Sequence, residues 1–143
     1  MWNHSRQAAA STKAVGDAAE DAALTHLRAA GLRLVQRNFR TPGRGGGEID
    51  LIMREPDGTL VFVEVRMRRS QRQGGAGASI TATKQRRLVF AARHYLLRLA
   101  QLPPCRFDVI LISPTLCDST GTREGAVDIQ WLRGAFTADG QTL

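Results

Sequence analysis

An α/β fold, with a central mixed β-sheet flanked by helices, is what this sequence predicts, and three observations carry it. Residues 12–30 and 81–101 place apolar side chains every three or four positions, as helices lying on a sheet do. Residues 32–39, 48–55, 59–67, 105–112 and 126–131 alternate with period two or run continuously apolar, as strands do. No internal repeat and no Pro/Ser-rich linker divides the 143 residues, so one domain over residues 13–136 is expected. Residues 1–12, acid-free and faintly like a transit peptide, read as a flexible basic arm, and residues 137–143 as a tail.

The first helix is capped by Ser11 or Thr12 and stops at Gly31. Its stripe of Val15, Ala19, Ala23, Leu27 and Ala30 faces the sheet, and Glu20 sits beside it, one turn beyond Gly16. Leu32 to Phe39 is a strand antiparallel to the next one. Thr41 to Gly47 (TPGRGGG) is a mobile connection with Arg44 at its tip; it enters a strand and opens no helix, so it lacks the context of a nucleotide-binding loop.

Glu48 to Glu55 and Thr59 to Met67 then form a hairpin around Pro56-Asp57-Gly58. Pro56 and Asp57 suit a type I turn, and Gly58 suits the left-handed position that makes the bulge. Ser70 to Ala78 is a second Gly-rich loop. A second helix starts at Thr81 or Thr83 and reaches about Gln101 before Pro103-Pro104, burying Leu88, Ala92, Tyr95 and Leu99. Cys105 to Ile112 reads as a central strand with Phe107, Val109 and Leu111 on one face. Its Asp108 reads as a salt-bridged acid, paired with Arg106 or another arginine. Ala126 to Trp131 is an edge strand, followed by a tail in which Phe136 tucks back.

The net charge of +7 points to a polyanionic partner, and it is unevenly placed. No acid occurs from Val65 to Phe107, while half of the 20 basic residues fall there. Lys84, Arg86 and Arg87 crowd the first turns of the second helix, the end its dipole makes unfavourable for cations. Contact with phosphate accounts for them, and so does a solvated basic face. Two cysteines, Cys105 and Cys117, without framework spacing speak against a disulfide scaffold or zinc site and for a reducing, cytoplasmic compartment. No run approaches the ~18 apolar residues of a membrane span.

The chemistry concentrates in the hairpin. Pairing Glu55 with Thr59 sets Asp50 opposite Glu64, where Cβ atoms lie about 4.5–5.5 Å apart and like charges destabilise. A divalent cation held between them removes the objection. Hard oxygen ligands suit Mg²⁺ or Mn²⁺, with the Val65 carbonyl joining Asp50 and Glu64 if the strand bends. Arg66, two residues on, points to the same side. Two acids and a base on one sheet face of a basic chain read as a metal-dependent phosphodiester site.

An ordered series of landmarks carries a resemblance. Gly16, Glu20 and Gly31 come first, then Asn38-Phe39-Arg40, GEIDLI from Gly47 to Ile52, FVEVR from Phe62 to Arg66, and Arg68. Thr83-Lys84-Gln85, Arg87-Leu88, Tyr95-Leu96 and Arg106-Phe107-Asp108 complete it. The series resembles the YraN family and, more widely, the PD-(D/E)XK superfamily of restriction-endonuclease-like and Holliday-junction-resolvase-like proteins. The resemblance implies a restriction-endonuclease-like sandwich and a metal-dependent DNA endonuclease, with branched or junction DNA and a homodimer as resolvase-like expectations. It implies metal binding by Asp50 and Glu64, supported by Glu20. The superfamily's usual lysine is Arg66 here, which keeps the charge but cannot take up a proton. Lys84 reaching in from the second helix is expected to supply what Arg66 lacks. Arg44, Arg68, Arg69, Arg72, Lys84, Arg86 and Arg87 are the expected nucleic-acid contacts. The alternatives are a catalytically weak or inactive nucleic-acid-binding protein on a nuclease fold, and an interaction protein whose basic face meets RNA or an acidic partner.

Overall fold

A computed structural model describes residues 12–68, 80–114 and 127–138. In chain order it contains α1 (Thr12–Ala29), β1 (Arg33–Arg40), β2 (Glu48–Arg54), β3 (Leu60–Met67), α2 (Ala82–Leu96), β4 (Cys105–Pro114) and β5 (Val127–Phe136). The strands form one five-stranded sheet in the order β1-β2-β3-β4-β5. Pairing is antiparallel except between β3 and β4, which run parallel and are joined through α2. A parallel pair needs such a crossover, and it brings α2 back over the sheet.

Strand alternation then builds a core on each face. Ile52, Leu60, Phe62, Val109 and Leu111 pack under Leu88, Ala92 and Tyr95 of α2. Leu51, Met53, Val61, Val63, Ile110 and Ile112 pack under Ala19, Ala23, Leu24 and Leu27 of α1. The result is the expected mixed sheet between helices, and β3 and β4, near-continuously apolar, are covered on both sides.

Several expected boundaries are corrected. The buried stripe of α1 starts at Ala19 and includes Leu24; Val15 is 38% exposed, and Ala30 is exposed as well. Gly31, at φ 100°, ends the helix, its N–H reaching Arg28 O at 3.0 Å and that of Leu32 reaching Leu27 O at 3.1 Å. Thr81, not Thr83, caps α2, accepting the Lys84 N–H at 3.2 Å. The helix ends at Leu96, short of Gln101, because Arg98 and Leu99 tighten into bonds three residues back, to Tyr95 O and Leu96 O. The edge strand continues past Trp131 to Phe136, which stacks on Phe107 at 4.7 Å.

The Thr41 to Gly47 loop is tied at its two ends, while Pro42 to Gly45 between them are exposed. The Thr41 N–H donates to Gly47 O at 3.0 Å, and Thr41 Oγ1 accepts the Gly47 N–H at 2.7 Å. Gly47 also presses on α2: a Cβ there would fall 1.9 Å from the Arg87 carbonyl oxygen. Ser11, the 70–78 loop, Cys117 and the tail beyond residue 138 lie outside the described residues. No described helix is long and apolar enough to cross a membrane.

Candidate metal and phosphate site

The hairpin forms as its turn composition predicts. Gly58 takes φ 94°, and the Glu55 and Gly58 amides close the loop at 2.9 Å each, to Thr59 O and Glu55 O. The register runs Arg54↔Leu60, Met53↔Val61, Ile52↔Phe62 and Leu51↔Val63. The next step puts Asp50 opposite Glu64. There the side chain takes over from the ladder, with Asp50 Oδ2 accepting the Val65 N–H at 2.8 Å.

The two carboxylates face each other as expected. Burial, then the charge of Glu64, pushes the Asp50 carboxyl up to about 7, against the pull of the Val65 N–H. The Glu64 side chain is 3% exposed, and its Oε1 lies 2.5 Å from Lys84 Nζ. That approach is an ion pair off the line of a directed hydrogen bond, so Oε1 is buried without one. Lys84 therefore reaches the site from α2. A cavity of about 230 Å³ opens here, walled by Gly46, Glu48, Asp50, Glu64, Lys84, Arg87 and Leu88.

The remaining expected residues divide. Glu20 lies close enough for the charge of Asp50 to act on it, yet its Oε2 accepts the Arg37 Nε–H at 3.1 Å. Burial is the largest influence on its carboxyl, which is raised above the ordinary value. Arg37 also holds Asp21 at 2.6 Å, and Glu20, bound to the same guanidinium, does not wall the cavity. Arg66 pairs with Leu111 and shares the α2 side of the sheet with Glu64; it is half-buried and outside the cavity wall. Arg87 joins Lys84 at the cavity. Arg86 does not: it turns to a separate groove of about 480 Å³ with Gln85, Val89, Phe90 and Arg93. Arg44 is exposed on the tied loop, and Arg68 is half-buried with its amide on Ile112 O at 2.7 Å. Arg69 and Arg72 lie outside the described residues.

One wall residue, Glu48, and one glycine packed behind the wall, Gly47, were not foreseen. Glu48 precedes Asp50 by two positions, so period-two alternation could have found it; its charge adds to the rise of the Asp50 carboxyl. Gly47, present among the landmarks, acts by lacking a side chain where strand and helix meet.

The donor set fits a hard divalent ion. Among the described residues no group of three or more His, Cys, Asp or Glu side chains is placed to hold an ion together, so at most two carboxylates would serve. Two opposed carboxylates, one with an undirected buried oxygen, match an ion such as Mg²⁺, which keeps waters and takes one or two carboxylates. The Val65 amide is turned to Asp50, which commits its N–H to holding that carboxylate.

By contrast, Asp108 is fully paired. It is 0% exposed and accepts Arg106 Nε at 3.0 Å, Trp131 Nε1 at 2.9 Å and the Gly134 N–H at 2.9 Å. Arg106 passes on to Glu55 at 2.8 Å. The salt bridge expected for Asp108 is present.

Comparison with known proteins adds a family. Residues 19–112 match the model described as uncharacterised protein family UPF0102. A UPF0102 protein of Polaromonas naphthalenivorans is 63% identical over 127 residues, covering 89% of this chain and 81% of the relative. One from Albidiferax ferrireducens is 64% identical over 127 residues, covering 89% and 90%. One from Paracidovorax citrulli is 63% identical over 127 residues, covering 89% and 85%.

Proposed function

The chain belongs to the uncharacterised protein family UPF0102, the YraN-like group, and from that premise we propose that it is a Mg²⁺- or Mn²⁺-dependent endonuclease of the PD-(D/E)XK type, hydrolysing phosphodiester bonds of DNA. The observation that carries the reading is the pair Asp50 and Glu64, two acids opposed at a cavity of about 230 Å³ with a lysine and an arginine on its wall. Such an arrangement is costly for a fold to keep for stability alone.

Asp50 and Glu64 would hold the ion, which when bound polarises a phosphoryl oxygen and lowers the pKa of a water. The chain's own residues do the rest. The Val65 N–H fixes Asp50 Oδ2 and so seats this carboxylate at the cavity wall. Lys84 and Arg87 set positive charge at the opposite wall, where a phosphodiester and its developing charge are met. Arg37 restrains Glu20 and keeps its charge near Asp50 without crowding the cavity. Branched DNA and a dimer belong to this reading by analogy with resolvases.

Purified protein incubated with duplex, flap and four-way-junction DNA in Mg²⁺ or Mn²⁺ is expected to cut at least one of them, and Asp50→Asn to abolish cutting. Failure on all three with either metal overturns the reading. Arg66, standing where a lysine is usual and outside the cavity wall, favours a second one, a nuclease fold that binds DNA without cutting it. That reading expects salt-sensitive binding that survives EDTA.

A further inference from the structure

The ion pair between Glu64 and Lys84 joins unequal partners. The carboxylate side chain is 3% exposed and the lysine side chain 53%. A buried carboxylate demands a counter-charge, and removing that charge is what destabilises such a site. Lys84 supplies it by reaching down from the first turn of α2, where the helix dipole opposes a cation. The contact is close, at 2.5 Å, and Glu64 Oε1 is otherwise buried without a hydrogen bond. The lysine's ion pair is with Glu64, while Asp50 across the strand gap takes the Val65 N–H and faces the Glu64 carboxyl.

We propose that Lys84 is a built-in counter-ion that a divalent cation displaces from Glu64, and that the displaced ammonium becomes a phosphate ligand at the same cavity wall. The inference rests on the metal-site reading above and adds to it an exchange of cations. A doubly charged ion meets both carboxylates at once, which a single ammonium does not. Its arrival releases a flexible four-carbon stem whose Cα stays fixed on the capped turn of α2. The site is thereby stable before metal arrives, and the charge needed by the substrate appears only when the ion is in place. Lys84 is then a positioning residue for Glu64 in the metal-free protein and a substrate contact in the loaded one.

Mn²⁺ titration, read by electron paramagnetic resonance of free Mn²⁺ and by the cation-induced rise in Tm, tests this on wild type, Lys84→Met, Lys84→Arg and Asp50→Asn. Lys84→Met is expected to bind Mn²⁺ roughly threefold to tenfold more tightly, since a competing charge is gone. It is also expected to melt earlier than wild type in EDTA and to gain more in Tm from Mn²⁺. Lys84→Arg, whose fork grips a carboxylate at two points, is expected to bind Mn²⁺ more weakly, and it decides the matter if Lys84→Met does not fold. Equal or weaker Mn²⁺ binding by Lys84→Met, or unchanged binding by Lys84→Arg, while Asp50→Asn still abolishes it, overturns the exchange and leaves the metal site standing. Mn²⁺ binding that is absent in wild type, or indifferent to Asp50→Asn, overturns the metal site and the exchange together.

Discussion

Glu64 and Asp108 are both acids in a sheet interior, 3% and 0% exposed, and they have been solved in opposite ways. Asp108 is saturated by an arginine, an indole and a backbone amide around a strand irregularity. Glu64 faces a second acid and a lysine that also reaches solvent, beside a cavity. Saturation is what a fold requires of a buried charge. On the proposed reading, a charge left short of it, at a cleft with basic walls, is kept for an ion.

Exchanging the two acids in turn breaks the comparison most directly. Glu64→Gln is expected to lower Mg²⁺-dependent DNA cleavage by at least about a hundredfold, as loss of a ligand does, with little loss of Tm in EDTA. Asp108→Ala is expected to cost about 3–5 kcal/mol in denaturant unfolding, since it strands the Arg106, Trp131 and Gly134 donors. Cleavage per folded molecule should survive it. The opposite pattern would mean that Glu64 is the structural acid.

Gly47→Ala comes next. Its Cβ meets the Arg87 carbonyl, backbone that cannot step aside, so a loss of about 1–3 kcal/mol and a weaker Lys84–Glu64 contact are expected by melting and Mn²⁺ titration. A smaller effect follows pH. The Asp50 carboxyl titrates at about 7 folded against 3.8 as its ordinary value, so the folded state holds the extra proton between them. Stability in EDTA is therefore fully present below about pH 4 as far as this group is concerned, and falls as pH rises towards 7. Asp50→Asn is expected to flatten that part of the profile. Cation binding should strengthen over the same interval, because the ion needs the carboxylate. The smallest effect separates neighbours: Arg87→Ala should reduce the salt slope of DNA binding by about 1, and Arg86→Ala, facing the other groove, by less.

What sequence could tell followed from how local each determinant was. Pro56-Asp57-Gly58 fixes its own turn, the turn fixes the register, and the register alone opposes Asp50 to Glu64. Strand faces at Phe107, Val109 and Leu111 were legible for the same reason. Lys84 was legible as a candidate only, because its reach depends on where the crossover lays α2 on the sheet. The split between Arg86 and Arg87, adjacent in sequence, needs the helix's rotation about its own axis. The end of β5 was hidden because Gly134, at φ 58°, reads as a stop until Asp108 is seen to hold its amide. Val15 was misplaced since helical period repeats without saying where the sheet begins to cover it.

The ring that Thr41 closes with Gly47 has a practical side. Gly46 cannot take a side chain without striking Thr41 Oγ1, but Pro42 and Arg44 are exposed, on either side of Gly43, whose φ of 92° a side chain would strain. Those two flanking positions form a natural cassette: their side chains can be exchanged to retailor what the cleft grips, while the anchor that seats the strand against the helix is left untouched.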